Sequence, residues 1–227
     1  MSDPDDALRE IRDRIEAACA RSGRPEQSVA LVAVSKTVSS ERVRAMLDRG
    51  HDLFGENRVQ EALAKIPEVG PGARWHLIGH LQRNKVRHSV GVFELIHAVD
   101  DSRLANEIDK RAAAAGVRQA VLVQVDLAGE ETKHGVAGER VEELVEEIFT
   151  LDGVELRGLM VIPPWPERPE DSRPYFVALR ELRDSLAGRT GRELPELSMG
   201  MTDDFEVAVE EGATLVRVGR ALFGDRP

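Results

Sequence analysis

Ser28–Thr37 reads SVALVAVSKT. The first eight residues are apolar or small, rich in valine, and end abruptly at a lysine. A run this short and β-branched predicts a strand. Its apolar positions do not alternate with polar ones, so both faces are covered, as in a parallel sheet between helices. Lysine is rarely buried without a partner, so Lys36 at the end of a core strand needs a reason.

Outward from this stretch the same alternation repeats. Helices are predicted from Ser2 or Asp3 to about Arg21, with Leu8, Ile11, Ile15 and Ala18 on one face, and from Ser39 to Arg49. Others follow over Asn57–Ile66, ending before Pro67, Leu81–His88, Asp101 to Gly116, Val136–Thr150, Ser172–Leu186, and a segment capped by Thr202–Asp204 and closed at Gly212. Between them lie strands at Ser28–Val34, Asp52–Gly55, Arg74–Gly79, Phe93–Val99, Gln119–Leu127, Leu156–Ile162, Glu196–Met199 and Thr214–Val218. Short crossovers make the sheet parallel. Eight such units predict a (β/α)8 TIM barrel of one domain, 1–227, with an extra N-terminal helix over its outside or one end. An open doubly wound sheet is the competing topology. It lacks support, because neither GxGxxG nor GxxxxGK[ST] occurs at the relevant turns. Pro163–Pro169 reads as a rim loop.

Composition narrows the partners. Lys plus Arg is 31 and Asp plus Glu 41, a formal charge of −10. Such acidity argues against nucleic acid, which needs a basic face. The single cysteine, Cys19, fits a reducing compartment and reads as a packing residue. The acidic, amphipathic start is not a signal peptide, and no apolar stretch nears the roughly 20 residues of a membrane span. The expectation is a cytoplasmic chain, with no membrane partner.

In a barrel the chemistry gathers where strands finish. Those positions are Lys36; Glu56 and Asn57; His80; Lys133 and His134; Met160; Ser198 and Gly200; and Arg217, Gly219 and Arg220. LSMGMTDD offers a hydroxyl, a glycine and a helix start; RVGRALFG offers Gly219 and the cation Arg220. Together they suggest a phosphate cradle, although each glycine alone would equally serve a turn. A desolvated lysine is a nucleophilic amine that forms imines; the plainer alternative is a side chain snorkelling to solvent. Phosphate plus lysine fits either pyridoxal 5'-phosphate or a phosphorylated sugar. Alternation separates them. If Lys36 points inward with Val32 and Val34, then Arg217 shares a face with Leu215 and Gly219, where it can meet a pyridine nitrogen and keep it unprotonated. A metal at His76 and His80 is not expected, since no acidic residue is near them in sequence.

AVSKT, FGENRVQE, WHLIGHLQRNK, KHG, RGLM, LSMGMTDDFEVAVEEG and VRVGRALFG, in this order, resemble the YggS/PROSC family of pyridoxal phosphate homeostasis proteins, from about Leu31 to Gly224. The resemblance implies a barrel like the N-terminal domain of alanine racemase, with the vitamin B6 cofactor held as an imine on Lys36. It further implies phosphate contacts from Ser198, Gly200, Gly219 and Arg220, Arg217 at the pyridine nitrogen, and Asn57 near the ring. The family often has threonine where this chain has Arg220, which puts that side chain's role in question. It also implies a non-catalytic binder that controls the supply of pyridoxal phosphate, including to dependent apo-enzymes, and the balance of amino and keto acids. The alternatives are a small racemase or a lysine-dependent aldolase. Against a racemase, the chain ends soon after its eighth strand, without a second domain, and its single tyrosine, Tyr175, falls in an outer helix. His80 and Lys133 are the remaining acid/base candidates. A monomer is expected.

Overall fold

The computed structural model describes residues 4–129 and 134–224. In chain order it runs α1 (Pro4–Arg21), β1 (Ala30–Val34), α2 (Ser40–Asp48), β2 (Leu53–Glu56), α3 (Val59–Val69), β3 (Arg74–Leu77), a 3-10 turn (Arg83–His88), β4 (Leu95–Val99) and α4 (Ser102–Ala115). There follow β5 (Gln119–Asp126), β6 (Val136–Ala137), α5 (Val141–Ile148), β7 (Val154–Val161), α6 (Arg173–Thr190), β8 (Glu196–Ser198), α7 (Phe205–Glu210), β9 (Leu215–Val218) and α8 (Arg220–Phe223). The strand order β4-β3-β2-β1-β9-β8-β7-β5 closes on itself through β4 and β5, and the pairings are parallel. The expected TIM barrel is therefore present, built from the eight predicted strands.

The interior is filled by Val32, Val34, Leu53, Ile78, Leu95, Leu122, Met160 and Leu215. Alternate residues of each strand point here, and the intervening ones, such as Ala33, Phe54 and Val216, face the helices. Burying each large aliphatic side chain contributes about 1.5–3 kcal/mol. Above this floor the barrel opens at the end where the strands finish. The predicted face of α1, Leu8, Ile11, Ile15 and Ala18, is buried, as is Cys19. The helix lies outside the barrel on α7 and α8, tied by Arg14 to Glu206 and Arg21 to Glu210.

Several boundaries differ from expectation. The predicted cap at Ser2 or Asp3 lies outside the described residues. Helix α3 continues past Pro67 to Val69; a proline so near the end forfeits one hydrogen bond in the last turn, and Gly70 N–H still closes on the Ile66 carbonyl at 3.1 Å. Val136–Ala137 is not the start of α5. It pairs with Val125 and Asp126 as β6, taking the place beside β5 that β4 leaves after Val99. Helix α7 begins at Phe205, directly after the predicted cap segment, with Asp204 as its N-cap; the Asp204 carboxylate folds back to accept from Met201 N–H at 2.7 Å and Ser172 Oγ at 2.7 Å. Helix α6 runs on to Thr190, where Gly191 adopts a left-handed cap. Among the described residues no helix is long and apolar enough to cross a membrane.

Candidate functional site

The open end of the barrel holds a cavity of about 790 Å³. Lys36, Asn57, Arg217, Gly219 and Arg220 line it, with His80, His134, Trp165 and the segment Met201–Asp204. Lys36 is half-buried, two residues beyond Val34 and next in the register that turns Val32 and Val34 inward.

The backbone around the lysine is fixed from behind. Ser35 and Glu56, next to Lys36 and Asn57 in sequence, face outward. Ser35 Oγ donates to Glu56 Oε1 at 2.6 Å, while Lys65 of α3 donates to the same oxygen at 2.5 Å and to the Ser35 carbonyl at 2.7 Å. Glu56 is fully buried, so a buried ion pair locks the ends of β1 and β2 together. Thr37 follows with φ of 64°, a left-handed conformation that costs a β-branched residue about 1–3 kcal/mol. Gly79 lets β3 pass against Asn57: a Cβ there would lie 2.4 Å from the Asn57 carbonyl oxygen. Asn57 is thereby held at the cavity by bare backbone.

Arg217 rises from β9 beside β1, where its register partner is Val32. Its Nη1 donates to Ser198 Oγ at 2.6 Å and its Nη2 to the Val161 carbonyl at 2.9 Å. Ser198 Oγ lies 2.9 Å from His97 Nδ1, and His97 Nε2 lies 2.9 Å from His76 Nδ1. The assignment that leaves the serine proton with a partner sends it to His97 Nδ1. His97 then carries its proton on Nε2 and donates to His76. Burial holds both rings neutral: His76 is lowered to about 3, and His97 is pushed well below its ordinary value, with His76 and Arg217 adding to the effect. Burial also lowers Arg217, to about 10, against the pull of Asp204. It remains a cation at neutral pH.

Two expected cradle residues stand elsewhere. Ser198 is fully buried beneath the cavity, with its hydroxyl committed to Arg217 and His97. Gly200, at φ 89°, turns the chain against α7; a Cβ would meet Ala208 Cβ at 2.5 Å and Phe205 Cα at 2.9 Å. Met201, Thr202 and Asp203 line the cavity in their place. The Arg220 side chain is on the rim, paired with Asp203 at 2.5 Å and lying over the Trp165 ring at 5.3 Å. Arg220 and Ala221 offer first-turn N–H groups of α8, which by geometry have no partner within the helix. Met160 belongs to the interior floor, and Lys133 lies outside the described residues. Tyr175 sits on α6 and does not line the cavity.

Sequence reasoning missed the His76–His97–Ser198 chain under Arg217 and the Ser35–Glu56–Lys65 lock. An inward parity shared by His76, His97, Ser198 and Arg217 was the available signal for the first; the outward Glu56 at a strand end was the signal for the second. The histidines His76 and His80 do not act as a pair. His76 meets His97, while His80 meets Asp100 at 3.5 Å and stacks on His134, with centroids 3.8 Å apart.

The family model described as alanine racemase, N-terminal domain, matches residues 7–227. The pyridoxal phosphate homeostasis protein of Aquifex aeolicus is 50% identical over 96% of this chain and 96% of its own length. That of Escherichia coli K12 is 38% identical over 100% of this chain and 98% of its own. The chain belongs to the pyridoxal phosphate homeostasis protein family. Within reach of this family lies PipY of Synechococcus elongatus, solved both without and with PLP bound; the PLP-bound structure is 38% identical, with a TM-score of 0.84 over 94% of this chain and 100% of PipY. Alanine racemase of Clostridium difficile, at 16% identity, shares the fold with a TM-score of 0.76, over 98% of this chain and 57% of the racemase. The family's barrel is thus the racemase barrel, as the sequence motifs implied.

Proposed function

We propose that this chain binds pyridoxal 5'-phosphate in the barrel-mouth cavity, linked as an imine through the Lys36 amine, and holds it for supply rather than turning over a substrate. The observation that carries the reading is that Lys36 and Arg217 line one cavity from hydrogen-bonded neighbouring strands. A relative 38% identical has been solved with this molecule bound, and relatives carry the homeostasis name.

Each side chain then has a task. Lys36 is the covalent anchor. Arg217, a permanent cation gripped by Ser198 and the Val161 carbonyl, faces the pyridine nitrogen and keeps it unprotonated. Gly219 and Arg220, through the backbone at the start of α8, hold the phosphate with the Met201–Thr202 segment. Gly200 shapes that segment, Ser198 acts through Arg217, and Asn57 borders the ring. When bound, the cofactor supplies an electron-withdrawing ring that stabilises negative charge on an attached carbon; an arginine in place of a carboxylate at its nitrogen damps that power. The chain's tyrosine stands outside the cavity, which favours holding over racemisation. On this reading the chain is a single-domain cytoplasmic monomer that delivers cofactor to apo-enzymes.

Mass spectrometry after borohydride reduction tests it. A pyridoxyl phosphate adduct is expected on Lys36, and none at the cavity in Lys36→Ala. An adduct on another residue with Lys36 unmodified would overturn the assignment. Amino-acid turnover by pure protein at roughly 1–1,000 per second would replace the holding role with an enzymatic one.

A further inference from the structure

We propose that His80, Asp100 and His134 bind one divalent transition-metal ion at the edge of the barrel mouth, in the two-imidazole, one-carboxylate class that suits zinc, cobalt or nickel. The three come from separate parts of the chain: His80 beyond β3, Asp100 directly after β4, and His134 ahead of β6. Both imidazoles aim Nδ1 at the same oxygen, Asp100 Oδ2, from 3.5 Å and 4.0 Å. One donor atom from each residue falls within 4.8 Å of the others. A tetrahedral ion with bonds of about 2.0–2.2 Å needs ligand atoms about 3.4 Å apart, so a small contraction together with rotation of the exposed His134 ring closes the site.

The carboxylate is what calls for an ion. Asp100 exposes 11% of its side chain. Its Oδ1 is buried without a hydrogen-bond partner among the described residues, and the two histidine contacts to Oδ2 are too long for good hydrogen bonds. Its described ion-pair partners are these histidines. The neighbouring Asp101 adds a second negative charge beside it in sequence. A buried carboxylate with so little compensation is costly; a divalent cation beside it removes that cost, with the exposed His134 ring turning out of its stack on His80, since each imidazole binds a metal in its own ring plane. The hard carboxylate with two borderline imidazoles selects first-row metals over calcium or magnesium. His80 and His134 line the cavity, so positions left open on the ion face it. They can accept an oxygen of an anionic ligand that enters beside the Lys36 pocket.

Titration of the chain, as purified, with cobalt and then zinc tests this. Saturable binding of one cobalt per chain is expected, with the visible absorption of a low-coordinate site and displacement by zinc. Asp100→Asn and His134→Gln should each weaken binding by about 10- to 100-fold or more, since loss of a ligand costs at least as much as loss of an outer-shell partner. His134 has a side chain 59% exposed, so its replacement does not threaten folding. His88→Gln, on the surface turn beside Arg87, should leave affinity unchanged. Absence of saturable binding, or an affinity untouched by His134→Gln, overturns the proposal. The Lys36 adduct is read in parallel. An adduct without metal binding rejects the metal site alone; metal binding without an adduct rejects the cofactor reading alone.

Discussion

The Arg217 guanidinium, at the cavity, donates to Ser198 Oγ beneath it at 2.6 Å. This one bond turns a strand-end serine, expected as a phosphate contact, into the support of the buried cation. Ser198→Ala leaves Arg217 Nη1 and His97 Nδ1 each short of a partner in a water-poor interior. A loss of about 1–3 kcal/mol is expected, visible in urea denaturation, together with faster loss of bound cofactor on dialysis. Unchanged stability and retention would show that the contact is incidental.

The lock behind Lys36 makes a sharper prediction. Lys65→Met strands the buried Glu56 carboxylate and should cost about 3–5 kcal/mol. The double variant Lys65→Met, Glu56→Gln removes both charges and should recover most of that loss. Equal denaturation midpoints for the single and the double variant would contradict an ion pair at this position.

Acid should destabilise the fold before most carboxylates titrate. His76 is lowered to about 3 by burial, and His97 and His51 are lowered too. The unfolded chain binds protons at these rings below its ordinary histidine pKa of about 6.5, while the folded chain does not. Their contribution is whole above that pH and shrinks as pH falls towards the folded values. His76 alone should account for about 1.4 kcal/mol between pH ~7.5 and ~5.5. Asp100, raised by burial, opposes this at lower pH by taking up its proton earlier in the folded chain. Flat stability across that interval, measured by denaturation, would mean that the rings are protonated in place.

Gly79→Ala should act on the site through the backbone. The new Cβ falls 2.4 Å from the Asn57 carbonyl oxygen and 2.8 Å from its Cα, so β3 or the Asn57 segment has to move. A cost of about 1–3 kcal/mol is expected, with weaker cofactor retention by equilibrium dialysis. A variant with wild-type retention would show that Asn57 tolerates displacement.

Lys36 and Arg217 were legible because strand parity is a local property. An apolar run fixes which residues point inward, and the last inward residue of each run becomes a wall of the open end. Gly200 and Ser198 were legible as strand-end residues but not in their tasks, since a glycine that admits a ligand and one that admits a helix look the same in sequence. Pro67 misled because its penalty depends on where the helix ends, which packing decides.

The sequence by itself determined the barrel, its inward-facing rows, and the family whose motifs it carries, because periodicity and turn chemistry act over a few neighbouring residues. Only the tertiary structure decided what those rows meet. It put His97 against Ser198, though 101 residues separate them, and brought His80, Asp100 and His134 to one edge of the mouth. Barrel closure sets such distances through strand register and shear, and no short segment encodes either.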